Sequence, residues 1–318
     1  MRALYVNPFT DFGFKKLFGE EASKPMLIDF LNSLLPENDK IANLTFKDKE
    51  KLGRSEADRK AVYDIYCENK NGEKFIVELQ KAKQQYFKDR TVYYSTFPIQ
   101  EQAQKGNWNF KLKAVYCIGI LDFEFNDYLN EPSKGNVVHT VQLKDQHDVV
   151  FYEKLKYIYL EMPNFNKEEN ELVTRLDKWL YCIKNLEDFE RIPSIFKDKI
   201  FIQAFKKAEI AKYSPQEFDS YQQSLKIFRD NYNTFDYAQK TAFREGQAAG
   251  IAAGIAEGKL EGIAEGKLEG KLEGKLEGKL EGKLEGKLEI AKNAKAMGIP
   301  IENIAKLTGL TKDEIEKL

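Results

Sequence analysis

The chain has 318 residues, of which 42% are hydrophobic and 13% aromatic, and its formal net charge at pH 7 is −1. This length can hold one well-filled domain of about 200 to 250 residues plus an appendage. A near-neutral charge argues against strong nonspecific adhesion to nucleic acid, since such adhesion grows with the number of phosphates neutralised. With neither a long apolar run nor a hydrophobic leader, the sequence predicts a cytoplasmic protein that does not enter membranes.

Cysteines and histidines are too few and too scattered for the common zinc or triad chemistries. Cys67, Cys117 and Cys182 are odd in number and lie in hydrophobic contexts, as reduced core thiols do. His139 and His147 are the only histidines. The absence of His-Glu-x-x-His and Cys-x-x-Cys motifs gives zinc-dependent and histidine-based hydrolase mechanisms poor support.

The first predicted element is a helix that ends near Phe18. Asp11 is a residue type that caps helix N-termini, and we expect it to cap this helix with Lys15 solvated.

A hairpin follows, built from two hydrophobic runs, residues 61–67 and 74–80. The segment between them is polar and contains Asn71-Gly72, a dipeptide that tolerates the positive φ of tight turns. The runs therefore predict two antiparallel strands.

Asp64, Glu78 and Gln80 lie inside these runs, where an unpartnered polar group is costly to bury. Side chains alternate faces along a strand, so Glu78 and Gln80 share a face and a paired strand can place Asp64 beside them. Oxygen ligands suit Mg²⁺ or Mn²⁺, which lowers the pKa of bound water and polarises a phosphodiester oxygen. The predicted chemistry is phosphodiester hydrolysis, and the alternative is a pair of charges that keeps an edge strand soluble.

The next segment reads as a helix that places Arg90 and Tyr94 on one face. Arg90 could donate to a phosphate, or it could stack on a neighbouring aromatic ring. Cations and aromatics alternate from residue 81 to 113, which is typical either of a nucleic-acid face or of a solvated helix. The cations are Lys81, Lys83, Lys88, Arg90, Lys105, Lys111 and Lys113.

Further strands and helices complete the predicted domain. Strands are expected at residues 114–120, 137–143 and 155–160, with a turn at 131–136, and helices at 173–186, 192–212 and 215–239.

From residue 246 to 286 a glycine recurs at every fourth position, mostly within Glu-Gly-Lys-Leu units. The spacing and the residues after lysine exclude a nucleotide-binding P-loop. As a helix the array would be marginal, because each glycine costs roughly 1 kcal/mol relative to alanine. Two interpretations stay open: a helical spacer or self-association segment, and a disordered linker.

The tail, residues 301–318, predicts a helix, a glycine-containing turn and a second helix, with Thr311 and Glu314 as a capping box. Its outline resembles a DNA-binding helix-turn-helix. The second helix is acidic, however, and phosphates would repel it, so we favour a docking or oligomerising hairpin.

The arrangement of Asp64, a hairpin and Glu78-x-Gln80 resembles the PD-(D/E)XK nuclease superfamily. The flanking stretches narrow the resemblance to the Rpn family of recombination-promoting nucleases, often labelled transposases, and it covers most of residues 1–240. These stretches are residues 11–18, 84–90 with Tyr93-Tyr94, 100–106 and 114–120.

The resemblance implies an α/β restriction-endonuclease-like core, a mixed central sheet flanked by helices, with a helical C-terminal extension. The expected division is a nuclease-like domain at 1–240, a repeat spacer at 241–290 and a helical hairpin at 291–318.

The implied activity is that of a divalent-metal-dependent DNA endonuclease associated with recombination or mobile elements. Asp64 and Glu78 would hold Mg²⁺, or Mn²⁺ or Ca²⁺, and Gln80 would orient water. The family places an acidic residue of its first helix near the metal, which makes Asp11 a candidate extra ligand, with Glu56 as another.

Contacts to DNA phosphates are expected from Arg90, Tyr94 and Lys83. The superfamily has a lysine where this chain has Gln80, and because glutamine cannot act as a base, the general base stays unassigned. Lys81 is expected to face the opposite side of the strand, and Lys83 would reach the site only if the strand ended early.

The competing hypothesis is a catalytically weak or inactive DNA-binding or scaffold protein that retains the nuclease fold and assembles through its repeat tail. Both hypotheses predict a homo-oligomer formed by the repeat and tail, and neither requires a nucleotide cofactor.

Overall fold

The computed structural model describes residues 3–48, 50–51, 61–125 and 133–318. The chain separates into two compact units, Met1–Asp236 and Tyr237–Leu318. The three-part division at residues 240 and 290 stays a prediction.

A mixed six-stranded sheet forms the centre of the first unit. Its strands are β1 (Leu44–Phe46), β4 (Ile65–Asn69), β5 (Lys74–Gln80), β6 (Val115–Leu121), β7 (Val138–Lys144) and β8 (Val150–Glu161), while β2 (Glu50–Lys51) and β3 (Ala61–Val62) form a separate antiparallel pair. The order in the sheet is β1-β4-β5-β6-β8-β7, with β5, β6 and β8 parallel and the other pairs antiparallel.

Helices cover both faces of this sheet. They are α1 (Asp11–Phe18), α2 (Lys24–Leu34), α3 (Phe87–Gln100), α4 (Arg175–Asn185), α5 (Lys199–Ala208) and α6 (Pro215–Ala296). On one face, α1, α2, α4, α5 and the start of α6 share an aromatic core that includes Phe18, Phe30 and Trp179, whereas α3 packs on the other face through Phe87. All seven residues of β6 are buried, as expected for a central strand covered on both sides. The predicted α/β architecture is confirmed.

The predicted hairpin is present, with β4 antiparallel to β5. Gly72 has φ of +80°, a conformation that glycine adopts without a steric penalty. Its N–H donates to the carbonyl of Asn69 at 3.0 Å, and the N–H of Asn69 donates to Glu73 at 3.0 Å. The Asn-Gly signal therefore predicted this turn from local chemistry alone.

The single strand predicted over residues 61–67 is wrong. The segment divides into β3, which pairs with β2, and β4, which begins at Ile65. Asp64 lies in a bend between them, and its carboxylate accepts the backbone N–H of Leu79 at 2.8 Å. The Asp64 side chain thus binds the N–H of Leu79 in place of a backbone carbonyl of the neighbouring strand.

The helix predicted over residues 192–212 is shorter than expected. Only Lys199–Ala208 forms an α-helix, flanked by single 3-10 turns at Ser194–Phe196 and Ile210–Lys212. Asp198 explains the late start, since its side chain caps α5 by accepting the N–H groups of Ile200 and Phe201.

Helix α6 does not end near residue 239 but continues through the glycine array. The structure thus has the array in its helical form, with exposed leucines such as Leu268 and Leu276. None of the helices that the structure describes combines the length and the apolar character needed to cross a membrane.

The end of the second unit contains α7 (Ile301–Thr308) and α8 (Lys312–Glu316). They enclose a small core with the last turns of α6 through Ala291, Ile304 and Ile315. Gly309 ends α7 with φ of +71°, and the predicted capping box of Thr311 and Glu314 begins α8.

Candidate active site

Asp64 and Glu78 lie side by side at the start of β4. The register pairs Ile65 with Val77, so Asp64, which precedes Ile65, faces Glu78, which follows Val77. The backbone N–H of Asp64 donates to Oε1 of Glu78 at 3.3 Å, and both side chains are half-buried. The structure therefore brings together the two carboxylates that the sequence singled out.

Burial and proximity change the acidity of this pair. Burial raises the pKa of Glu78, and the neighbouring carboxylate of Asp64 raises it further, against the opposing effect of Arg90. Burial also raises the pKa of Asp64, while the hydrogen bond from Leu79 and the charge of Lys15 act in the opposite direction. Two acids that resist ionising together form a site that a cation would stabilise.

The donor set fits a hard divalent cation. Mg²⁺ prefers oxygen ligands and is commonly held by one or two carboxylates, with water and substrate phosphates completing its coordination. Among the residues that the structure describes, no group of three or more His, Cys, Asp or Glu side chains converges. The protein thus offers two carboxylates here, which is sufficient for this mode of binding.

Gln80 is the third polar residue of the hairpin, and both the oxygen and the nitrogen of its side-chain amide form hydrogen bonds. The guanidinium of Arg90 donates to Oε1, and Nε2 donates to the carbonyl of Ala82 at 2.7 Å. Arg90 also donates to Gln84 at 2.6 Å, and its guanidinium carbon lies 5.7 Å from the ring centroid of Tyr94. Arg90 therefore orients Gln80 and lies over the Tyr94 ring, the stacking arrangement considered from sequence.

Helix α1 brings two further charges near the pair. Its N-cap is Thr10, whose hydroxyl accepts the N–H of Gly13, so the cap predicted at Asp11 is wrong. Asp11 is instead the first helical residue and pairs with Lys15 at 2.7 Å. Asp11 raises the pKa of Asp64 and Lys15 lowers it, which shows that both charges act on the site.

Lys81 leaves the strand on the side opposite to Gln80, as the alternation predicts. Its ammonium lies 5.7 Å from the ring centroid of Phe228 on α6, whereas Gln80 contacts α3. Burial lowers the pKa of Lys81, and the carboxylates of Asp11 and Asp64 raise it. The lysine charge therefore acts on the carboxylate pair from the other face.

Asp122 is a residue that the sequence analysis missed. It directly follows β6, and its N–H donates to the carbonyl of Gln80 at 3.0 Å. Burial raises its pKa to about 6, while Lys184 and Lys81 oppose the shift. An acid immediately after a buried parallel strand was the signal that could have identified it.

Of the remaining candidates, Tyr94 lies beside Glu78. Lys83 is exposed, and its Nζ lies 3.5 Å from the carbonyl oxygen of Glu124. Tyr94 is half-buried and lines a small cavity together with Glu78, and its ring centroid lies 5.6 Å from that of Tyr63 in a T-shaped arrangement. Glu56 lies outside the described residues.

The comparison with protein families decides the classification. The model of the PD-(D/E)XK nuclease family transposases matches residues 8–238. The chain belongs to this family. No curated protein and no solved structure matches it. The matched segment of this PD-(D/E)XK family member contains Asp64, Glu78 and Gln80 and ends before the glycine array, so a nuclease- or transposase-like role belongs to the first unit.

Proposed function

We propose that this PD-(D/E)XK protein is a divalent-metal-dependent DNA endonuclease in which Asp64 and Glu78 hold the cation. The observation that carries the proposal is the bond between the backbone of Asp64 and the carboxylate of Glu78, which keeps two acids adjacent in a partly buried site. Mg²⁺ is the preferred ion, with Mn²⁺ or Ca²⁺ as substitutes. A bound ion would supply an activated water and polarise a phosphoryl oxygen.

The residues around the pair have positioning roles in this proposal. The N–H of Leu79 fixes one oxygen of Asp64 at 2.8 Å. Arg90 fixes the oxygen of Gln80, and since an amide nitrogen carries two hydrogens, one remains beyond the bond to Ala82 to orient a water or a phosphate oxygen. Asp11, at the start of α1, is the proposed supplementary acid.

Contacts to the DNA backbone are proposed for Lys83 and for the face of α3 that carries Arg90 and Tyr94. Lys83 is exposed beside the end of β5, so it can meet a phosphate without rearranging the core. In this proposal the protein acts in recombination or on mobile elements within the cytoplasm, and it forms homo-oligomers through the helical array and tail.

Nicking of a supercoiled plasmid tests the activity. The full chain should nick the plasmid with Mg²⁺ or Mn²⁺, and EDTA should abolish nicking. Asp64→Asn and Glu78→Gln should each lower the rate by at least about 100-fold, because each removes a metal ligand while keeping the side-chain shape. Glu153→Gln, which alters an exposed acid on β8, is the matched control and should cleave normally.

Two results would contradict the proposal in different ways. Cleavage that survives Asp64→Asn would mean that the site is elsewhere. DNA binding without cleavage under every metal would instead favour the scaffold alternative, which the replacement of the superfamily lysine by Gln80 supports.

A further inference from the structure

A cleft lies at the carboxyl ends of two parallel strands, close to the carboxylate pair. One wall consists of Lys81, Ala82 and Lys83, which follow β5, together with Asp122 and Phe123, which follow β6. The bond between the Asp122 N–H and the Gln80 carbonyl joins these two segments. The cleft therefore begins one residue beyond Gln80.

The opposite wall is one face of α6 within the first unit. Phe228, Asn231, Tyr232 and Phe235 line it, and their spacing of three, four and seven residues places them on a common side of the helix. Tyr232 is 63% exposed and Phe235 is 52% exposed, so two large rings face solvent beside the site.

The residues that line the cleft suit a planar ring that has polar groups at its edge and a negatively charged group attached to it. Four of these nine residues are aromatic, and two are lysines that could face a phosphate. Asp122 and Asn231 add hydrogen-bonding groups to the lining. The cavity of about 140 Å³ is small beside the roughly 300 to 1,000 Å³ of pockets for drug-sized ligands, which suits one ring system.

We propose that this cleft binds a single unpaired base of a DNA strand, a specificity site that rests on the proposed nuclease function. Aromatic side chains that interleave with lysines bind single-stranded nucleic acid by stacking on bases and pairing with phosphates. Lys81 already lies over the ring of Phe228, where its charge also acts on Asp64. A base on these rings would hold the adjoining phosphate near the carboxylates.

The consequence is a preference for single-stranded or distorted DNA over an intact duplex. A base must leave the stack before it can enter a cleft of this size, and that step is easiest where the base is unpaired. The cleft would thus select the substrate, while Asp64 and Glu78 would act on its backbone.

Binding without metal tests the cleft separately from cleavage. The full-length protein is titrated in EDTA with a fluorescent oligo-dT strand and with a duplex of the same length, and anisotropy gives each Kd. Tyr232→Ala and Phe235→Ala should each weaken binding of the single strand by about 5- to 100-fold, since one stacking contact is lost. Both residues are exposed, so the variants should fold.

Matched variants exclude a general effect of changing the helix surface. Tyr232→Trp keeps a stacking ring and should bind like the wild type. Tyr237→Ala removes an exposed tyrosine that does not line the cleft and should leave Kd unchanged. A 2-aminopurine placed in the strand should be quenched by the wild type and not by Tyr232→Ala.

An unchanged Kd for both alanine variants, or duplex binding as tight as single-strand binding, would overturn the cleft proposal even if the enzyme cleaves DNA. Preferential binding of single-stranded RNA would overturn the choice of DNA. Cleft-dependent binding in a protein that never cleaves would support the cleft and refute the nuclease activity, so the two failures are distinguishable.

Discussion

At the scale of single residues, two half-buried acids joined through a backbone hydrogen bond are expensive to ionise in an apolar sheet. Asp64 tolerates this position because the N–H of Leu79 solvates one of its oxygens. Glu78 has the charge of Arg90 nearby, which opposes the rise in its pKa. Arg90 therefore acts on both Glu78 and Gln80, and its replacement should affect chemistry more than binding.

We predict that Arg90→Gln lowers kcat for DNA cleavage by about 10- to 100-fold, with a smaller change in KM. Loss of the guanidinium frees the Gln80 amide, and removal of such supporting contacts typically has an effect of this size. Steady-state kinetics on a short DNA substrate measures both constants. Lys88→Gln removes an exposed cation from the same helix and should leave kcat unchanged. A change confined to KM would mean that Arg90 contacts phosphate without positioning Gln80 for the chemistry.

Asp122 should make stability depend on pH. Burial raises its pKa in the folded state to about 6, although the charges of Lys184 and Lys81 oppose this rise. The folded state is therefore most stable when Asp122 is protonated. This contribution is fully present below about pH 4 and is lost as the pH rises through 6. Asp122→Asn stays neutral throughout. It should raise the free energy of unfolding at pH 8 by about 1 to 3 kcal/mol, the smaller figure allowing for solvent screening of this partly exposed group, and change it little at pH 4.

Urea denaturation of both proteins at the two pH values, without added metal, measures this difference. Asp89→Asn, at an exposed acid of α3, is the control and should show no pH-dependent gain in the free energy of unfolding. An equal gain at pH 4 and pH 8 would mean that the amide stabilises by packing and not by removing a charge.

At the scale of elements, the glycine array depends on backbone propensity more than on packing. A Cβ built on Gly266 or Gly270 meets no atom within 4 Å, and Leu268 between them is exposed. Such a helix gains little from tertiary contacts, so each glycine weakens it by about 1 kcal/mol. Gly309 differs, because its φ of +71° ends α7 in a conformation that suits glycine.

Alanine substitutions should therefore change helix stability in opposite directions in the array and at Gly309. Gly266→Ala and Gly270→Ala should each stabilise the array helix by about 1 kcal/mol. Gly309→Ala should destabilise the α7–α8 hairpin by about the same amount, since alanine is strained at positive φ. Circular dichroism at 222 nm during thermal melting of the full chain measures both. A gain at Gly309, or none in the array, would contradict the helical assignment.

At the scale of the whole molecule, charge limits how the protein can bind DNA. With a net charge of −1, the chain as a whole does not attract phosphates, and the proposed contacts come from a few cations near β5 and α3. Binding of a single strand should then release few counterions, because these cations neutralise few phosphates and each neutralised phosphate releases about 0.7 counterions.

We expect the slope of log K against log salt for single-stranded DNA to be about −2 to −3. Lys83→Gln should reduce its magnitude by about 0.7, since one phosphate contact is lost. Anisotropy titrations at several NaCl concentrations give the slopes. A slope steeper than about −6 would indicate an extended basic surface and contradict local binding.

Short-range signals in the sequence predicted the hairpin, its turn, the capping box at Thr311 and Glu314, and the pairing of Asp64 with Glu78. Each depends on a few neighbouring residues: an Asn-Gly turn sets the strand register, and the register places the two acids opposite one another. The same locality explains why family membership could be inferred from motifs before any coordinates.

Long-range packing settled the features that the sequence left open or misassigned. The hydrogen bond from the backbone of Leu79, 15 positions further along the chain, placed Asp64 in a bend. The cleft joins residues 81–83 and 122–123 to a helix face more than 100 positions away. Such contacts depend on how the entire core fills its volume, so local propensity carries little information about them.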